Sequence, residues 1–189
     1  MKINTCISLL RGINVGGQKK ILMKDLKALY EELDFGEVTP FIQSGNVVFN
    51  AGDNLSARQV ARKIEAAIDR KFGFFVHTIV RTREELEQSL KNNPFLQEDS
   101  ILRDKLHLTF LEDIPDPEKV ELILKSDFSP DRFIIRGKDV FVYCPGGYGI
   151  TKINNTFFES RLKRSATTRN WKTVINLVEI ATELELKQK

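Results

Sequence analysis

The sequence predicts an α+β protein made of two similar halves, each with mixed or antiparallel strands backed by helices. Three observations predict it. The spacing of apolar residues switches between period two and steps of three and four, in the order strand, helix, strand, strand, helix, strand. That order occurs twice along the 189 residues. Each pass also holds a polar turn between two short apolar runs, Ser44-Gly45-Asn46 in the first and Arg136-Gly137-Lys138-Asp139 in the second, which is hairpin chemistry. The order is that of the split βαβ, or ferredoxin-like, arrangement. The expected architecture is therefore two fused ferredoxin-like halves. The first spans 1–81, a linking helix and connector span 82–104, and the second half with a C-terminal helix spans 105–189.

Thr5 to Leu10 is an apolar run that reads as the first strand. From Met23 the spacing of Leu26, Leu29, Tyr30 and Leu33 puts one helical face together, and Gly36 is expected at its C-terminus. Phe41–Gln43 and Val47–Phe49 read as the hairpin strands. Ser56 with Gln59 is a capping box ahead of Val60, Ile64, Ala67 and Ile68, and Gly73 closes that helix. Phe74–Val80 is expected as the next strand, and Thr82 with Glu85 as the cap of a linking helix stopped by Asn92-Asn93-Pro94. Residues 92–103 read as an exposed connector. In the second pass Leu106–Leu111 is a strand and Pro117 opens a helix carrying Val120, Ile123 and Leu124. Phe133–Ile135 and Val140–Tyr143 flank the hairpin, and a Gly-rich loop runs from Pro145 to Lys152. Asn155–Leu162 reads as helix and Ser165–Thr168 as a closing strand. Asn170 caps a final helix with Val174, Leu177, Val178, Ala181 and Leu184 inside.

Composition narrows the function classes. With 41% apolar and 29% charged residues, the chain is neither disordered, collagen-like nor a coiled coil. The N-terminal stretch is too short and polar for a signal-peptide core. No run approaches the ~20 apolar residues of a membrane helix, so a cytoplasmic protein with no membrane partner is expected. Cys6 and Cys144 have no metal spacing and read as buried free thiols. His77 and His107 lack ligand-spaced partners, so neither a metal nor a cofactor is indicated.

Charge is distributed more tellingly than its net of +3 suggests. Residues 1–30 carry six cations against one acid, a net of +5, and residues 151–175 do the same. Residues 112–131 carry two cations against seven acids, a net of −5. The loop Gly12–Lys20 follows a strand and precedes a helix, but Gln18 stands where a Walker loop has lysine, and the glycine spacing is wrong for a dinucleotide fingerprint. What remains is a small-residue loop with Lys19 and Lys20 beside it. The hairpin tip adds Ser44 and Asn46, the second Gly-rich loop adds Lys152, and the start of the last helix adds Arg169 and Asn170 at an anion-favouring N-terminus.

Three motifs in order resemble one family. They are Leu9-Leu10-Arg11-Gly12-Ile13-Asn14-Val15-Gly16-Gly17, then Gln43-Ser44-Gly45-Asn46-Val47-Val48-Phe49, then Thr168-Arg169-Asn170-Trp171-Lys172-Thr173-Val174, with Asn93-Pro94-Phe95 between. The set resembles the bacterial family called domain of unknown function 1697. The resemblance implies a compact α/β protein and brings no activity, cofactor or catalytic residues. Where the family often reads Gly-x-Gly-Arg-Ser-Lys in its second loop, this chain has Gly147-Tyr148-Gly149-Ile150-Thr151-Lys152, which removes a cation.

The expected function is binding of an anionic small molecule, phosphorylated or nucleotide-like. The candidate ligands to it are Arg11, Asn14, Lys19, Ser44, Asn46, Lys152, Arg169 and Asn170. No residue stands out as nucleophile or general base, so enzyme activity is left open. A single-stranded nucleic-acid module is an alternative reading, permitted by a pI of 8.8. A homo-oligomeric interaction protein without ligand chemistry is another.

Overall fold

The computed structural model describes residues 5–52 and 55–187. The first pass consists of β1 (Thr5–Leu10), α1 (Met23–Glu32), β2 (Gly36–Phe41), β3 (Asn46–Asn50), α2 (Ala57–Phe72) and β4 (Thr78–Thr82), followed by α3 (Arg83–Lys91). The second consists of β5 (Leu106–Leu111), α4 (Pro117–Leu124), β6 (Arg132–Arg136), β7 (Asp139–Tyr143), α5 (Asn155–Leu162) and β8 (Ala166–Asn170), followed by α6 (Trp171–Leu186). The strands form two four-stranded sheets, β2-β3-β1-β4 and β6-β7-β5-β8, and every pairing is antiparallel. The expected duplication of a ferredoxin-like unit is the architecture. Among the described residues, no helix is long and apolar enough to cross a membrane.

Two compact units divide the chain, Met1–Glu87 with Asn176–Lys189 and Gln88–Ile175. In the first, one sheet face turns Cys6, Leu10, Val47, Phe49 and Val80 toward Val60, Ile64 and Ile68 of α2 and Leu26, Leu29 and Tyr30 of α1. Three rings interlock there: Phe49 lies 5.1 Å from Tyr30 and 4.8 Å from Phe35. The fully buried Tyr30 hydroxyl meets Ser8 Oγ at 2.7 Å, which supplies the partner a phenol needs away from water. In the second unit the equivalent face joins Leu111, Val140, Val142 and Ala166 to Phe158 and Leu162 of α5 and Ile123 of α4.

Local chemistry sets the ends. The Ser56–Gln59 capping box forms in both directions, and Gly73 takes the left-handed C-cap at φ 75°. Thr82 and Glu85 exchange the reciprocal bonds that open α3. Several boundaries differ from expectation: the strand expected at Phe41–Gln43 is Gly36–Phe41, and the closing strand expected at Ser165–Thr168 is Ala166–Asn170. Gly36 does not close α1; Asp34 takes the positive φ of 61°, and Gly36 opens β2. That strand holds Pro40 and a register shift between Gly36 and Thr39, both tolerated because it is an edge. β4 begins at Thr78 rather than Phe74. The connector is also anchored: Phe95 is fully buried, with its ring 6.1 Å from that of Tyr143.

The repeat reaches single residues. Arg81 of β4 pairs in register with Ile7 of β1, and Arg169 of β8 pairs with Leu108 of β5. Both are buried, and each guanidinium donates to the carbonyl of its preceding residue. The residue after each caps the helix that follows.

Burial pushes the thiols of Cys6 and Cys144 up to about 11, with Glu85 and Glu84 adding to the effect at Cys6. Since the folded values exceed the ordinary 9.0, this contribution to stability is complete below pH 9 and is lost as pH rises through 11. A disulfide reagent at about pH 8 is expected to label neither thiol until the protein is denatured. Rapid labelling of the native protein would contradict the burial.

Candidate functional site

β1 ends at Leu10, and the chain leaves the sheet as the loop 11–20. Gly16 and Gly17 sit at φ 59° and 76°. Between them the chain reverses, and the Gln18 N–H donates to the Val15 carbonyl at 3.1 Å. Positive φ at both central residues is the type I′ pattern that suits a two-residue hairpin turn. The glycines thus fold the loop into a miniature hairpin that carries Lys19 and Lys20 at its exit.

Asn14 fixes the base of this hairpin. It lies at φ 57°, a region asparagine tolerates better than other side chains. Its Nδ2 donates to the carbonyls of Ile21 at 3.0 Å and Gln43 at 2.9 Å, while its Oδ1 accepts from the Ile21 N–H at 2.9 Å. Gln43 belongs to the turn between β2 and β3, so the side chain ties the loop to the hairpin tip. A second tie runs through the backbone, where the Leu10 N–H donates to the Gly45 carbonyl at 2.8 Å. Asn46 shapes the tip from within. It is fully buried, and its Nδ2 donates to the Phe41 carbonyl at 3.2 Å and to Ser44 Oγ at 3.0 Å.

The approach to β4 completes this end of the first sheet. The Arg11 N–H donates to the His77 carbonyl at 2.8 Å. Lys19 Nζ donates to the Phe75 carbonyl at 2.8 Å, a neutral partner that leaves the ammonium charge uncompensated at that contact. Phe75 is 46% exposed, and the His77 ring stands edge-on to it at 4.8 Å. His77 Nδ1 lies 3.8 Å from Glu65 Oε1, which accepts from the Thr78 N–H.

The remaining candidates belong to the second unit. Lys152 is exposed in its Gly-rich loop. Arg169 donates from Nη1 to Thr167 Oγ1 at 2.8 Å and to the Thr168 carbonyl at 2.9 Å. Burial pushes its pKa down to about 10, against an opposing pull from Tyr148. Asn170 Oδ1 accepts from the Thr173 N–H at 2.7 Å and so caps α6. Tyr148 holds the Gly-rich loop down: its ring stacks on His107 at 4.7 Å, and its hydroxyl donates to Thr168 Oγ1 at 2.8 Å. Thr168 in turn donates to Asn155 Oδ1 at 2.6 Å and meets Thr109 Oγ1 at 2.6 Å. Burial holds the His107 pKa below its ordinary value.

Arg11, Asn14, Lys19, Ser44 and Asn46 therefore lie at one end of the first unit, while Lys152, Arg169 and Asn170 are parts of the second. Asn14 and Asn46 direct their amides to the protein's own backbone. Phe75, His77 and Tyr148 are absent from the sequence-based set. Reading Val76, Thr78 and Val80 as inward would have turned Phe75 and His77 outward, by simple alternation. Among the described residues, no group of three or more His, Cys, Asp or Glu side chains is placed to hold a metal ion.

The model of the family described as "Protein of unknown function (DUF1697)" matches residues 3–141. The chain belongs to the DUF1697 family. No curated protein matches it. Among solved structures, a conserved bacterial protein of Streptococcus pneumoniae is 24% identical, with a TM-score of 0.74 over 95% of this chain and 99% of that one. The likeness establishes the fold that this DUF1697 protein shares with it. The loop 11–20, the hairpin tip and Phe75 all fall inside the span matched by the family model, whereas Lys152, Arg169 and Asn170 follow it.

Proposed function

We propose that this DUF1697 protein binds a nucleotide-like anion at the end of its first sheet. The supporting observation is the contact of Lys19 Nζ with the Phe75 carbonyl at 2.8 Å. It ties a cation from the Gly-rich loop to the backbone of a residue whose aromatic side chain is half exposed. In this reading Arg11 and Lys19 hold the phosphate, and Lys20 adds to the local positive potential. A flat base stacks on Phe75, an interaction worth about 1–3 kcal/mol per base. Ser44 lies at the rim. Asn14, Gly45 and Asn46 keep the loop and tip in register without touching the ligand. The activity assigned is binding.

Titration calorimetry with adenosine monophosphate, adenosine and inorganic phosphate tests this. The nucleotide is expected to bind more tightly than either fragment. Lys19→Gln and Phe75→Leu should each weaken it by about tenfold, equivalent to about 1.4 kcal/mol. Absence of heat with every phosphate compound would overturn the reading, as would an affinity indifferent to Lys19→Gln. Tighter binding of single-stranded RNA, falling steeply with salt, would assign the surface to nucleic acid instead.

A further inference from the structure

The loop 11–20, the start of α1 and the β2–β3 tip meet at one side chain. Asn14 Nδ2 donates to the carbonyls of Ile21 at 3.0 Å and Gln43 at 2.9 Å, so the chain neighbours of all three residues come together there. Those neighbours are Val15, Leu22 and Ile42, which are 64%, 62% and 47% exposed. Large aliphatic side chains left in water around one junction mark an interaction surface. Two of them also break local rules. Leu22 is the N-cap of α1 and makes no capping bond, where serine, threonine, aspartate or asparagine would stabilise the helix. Ile42 sits at φ 50°, a region that strains a β-branched residue and suits glycine or asparagine. Both side chains are thus held outward against the local preference of the backbone, a pattern concentrated at functional sites.

We propose that this junction docks on an anionic lipid bilayer, with Val15, Leu22 and Ile42 entering the interface and Lys20 and Lys24 reaching the headgroups. Lys20 and Lys24 are exposed on either side of Leu22, and among the described residues neither makes an ion pair or a side-chain hydrogen bond. Residues 11–30 carry five cations against Asp25 alone. A second copy of the patch would set lysine against lysine. Lysine is also depleted in protein–protein interfaces, whereas lysines around an apolar tip suit an anionic headgroup layer. The absence of a membrane partner expected from the sequence rested on spanning segments, and a protein that lies on a bilayer needs none. The surface stands on the β3 side of β1, where Gly45 meets Leu10, while Phe75 and His77 approach β1 from the β4 side.

Flotation of the full chain with phosphatidylcholine vesicles, with and without phosphatidylglycerol, tests this. Binding is expected only to the anionic vesicles and should weaken as salt is raised. Leu22→Ser and Ile42→Asn should each weaken it by about tenfold or more, since each removes an aliphatic side chain from the interface. Both variants should keep or raise the midpoint of guanidinium unfolding, because serine can cap α1 and asparagine tolerates the left-handed backbone. Binding and stability therefore move apart, which a side chain held only for packing would not allow. Lys20→Gln and Lys24→Gln should each weaken binding by about fivefold. A chain that does not float with anionic vesicles would overturn the proposal, as would equal binding to neutral ones. So would full binding by the variant carrying both Leu22→Ser and Ile42→Asn, or a fall in its unfolding midpoint.

Discussion

Gly45→Ala is expected to destabilise the protein by about 2–5 kcal/mol, one of the largest effects for the loss or gain of a single methyl group in this chain. Two costs add. Gly45 sits at φ 76°, where a β-carbon strains the backbone by about 1–2 kcal/mol. The new carbon would also lie 2.8 Å from Ile13 Cδ1, Ile13 Cγ1 and Leu10 Cβ. Neither neighbour can retreat easily, because Ile13 and Leu10 are themselves fully buried. The methyl group would be inserted at the seam where the Leu10 N–H meets the Gly45 carbonyl. Guanidinium denaturation checks the magnitude. A shift below about 0.5 kcal/mol, the size of an ordinary surface substitution, would mean that loop and tip are not packed as described.

Phe49→Ala should cost about 3–5 kcal/mol. Phe49 is fully buried in β3 and meets both Tyr30 and Phe35. Its removal leaves a cavity against two rings whose positions are fixed from other sides. Tyr30 is held by its bond to Ser8, and Phe35 is covered by Lys63 Nζ at 5.2 Å from its centroid. The surroundings can therefore collapse only partly, which keeps the penalty toward the upper end. Phe49→Leu should retain much of the lost stability because it refills most of the volume. An alanine variant within about 1 kcal/mol of the parent in thermal or chemical unfolding would contradict the three-ring core.

Much of the fold is written locally. The hydrophobic period identifies β1, β3, β5 and α2, and the pairs Ser56–Gln59 and Thr82–Glu85 mark two helix starts by chemistry that acts over three residues. β2 was legible only in its last residue, Phe41, since the expected strand ran on through Gln43. Its Gly36-Glu37-Val38-Thr39-Pro40 run lacks strand propensity, and an edge position permits what an interior one would not. The start of β4 was misplaced because Phe74–His77 continues the strand's alternation without its hydrogen-bond ladder. The candidate site was legible in part. The motifs around Arg11 and Ser44 stand out in the sequence, but their union depends on the Leu10–Gly45 and Asn14–Gln43 bonds, which leave no signature in residue type. Phe75 could be read as outward from its alternation with Val76, but nothing in its residue type sets it apart from the other phenylalanines as part of a site. The correspondence of Arg81 and Arg169 was equally invisible, because their flanks, Val80 and Thr82 against Thr168 and Asn170, share only the capping role of the residue that follows.

The proposed binding of an anion by loop, tip and aromatic pair is tested most directly by amide-resolved NMR of the full chain during titration with adenosine monophosphate. Shifts are predicted to concentrate in the loop 11–20, at Gln43–Asn46 and at Phe74–His77, and to saturate together with one dissociation constant. A spectrum that does not move, or shifts confined to residues 88–175, would contradict the account.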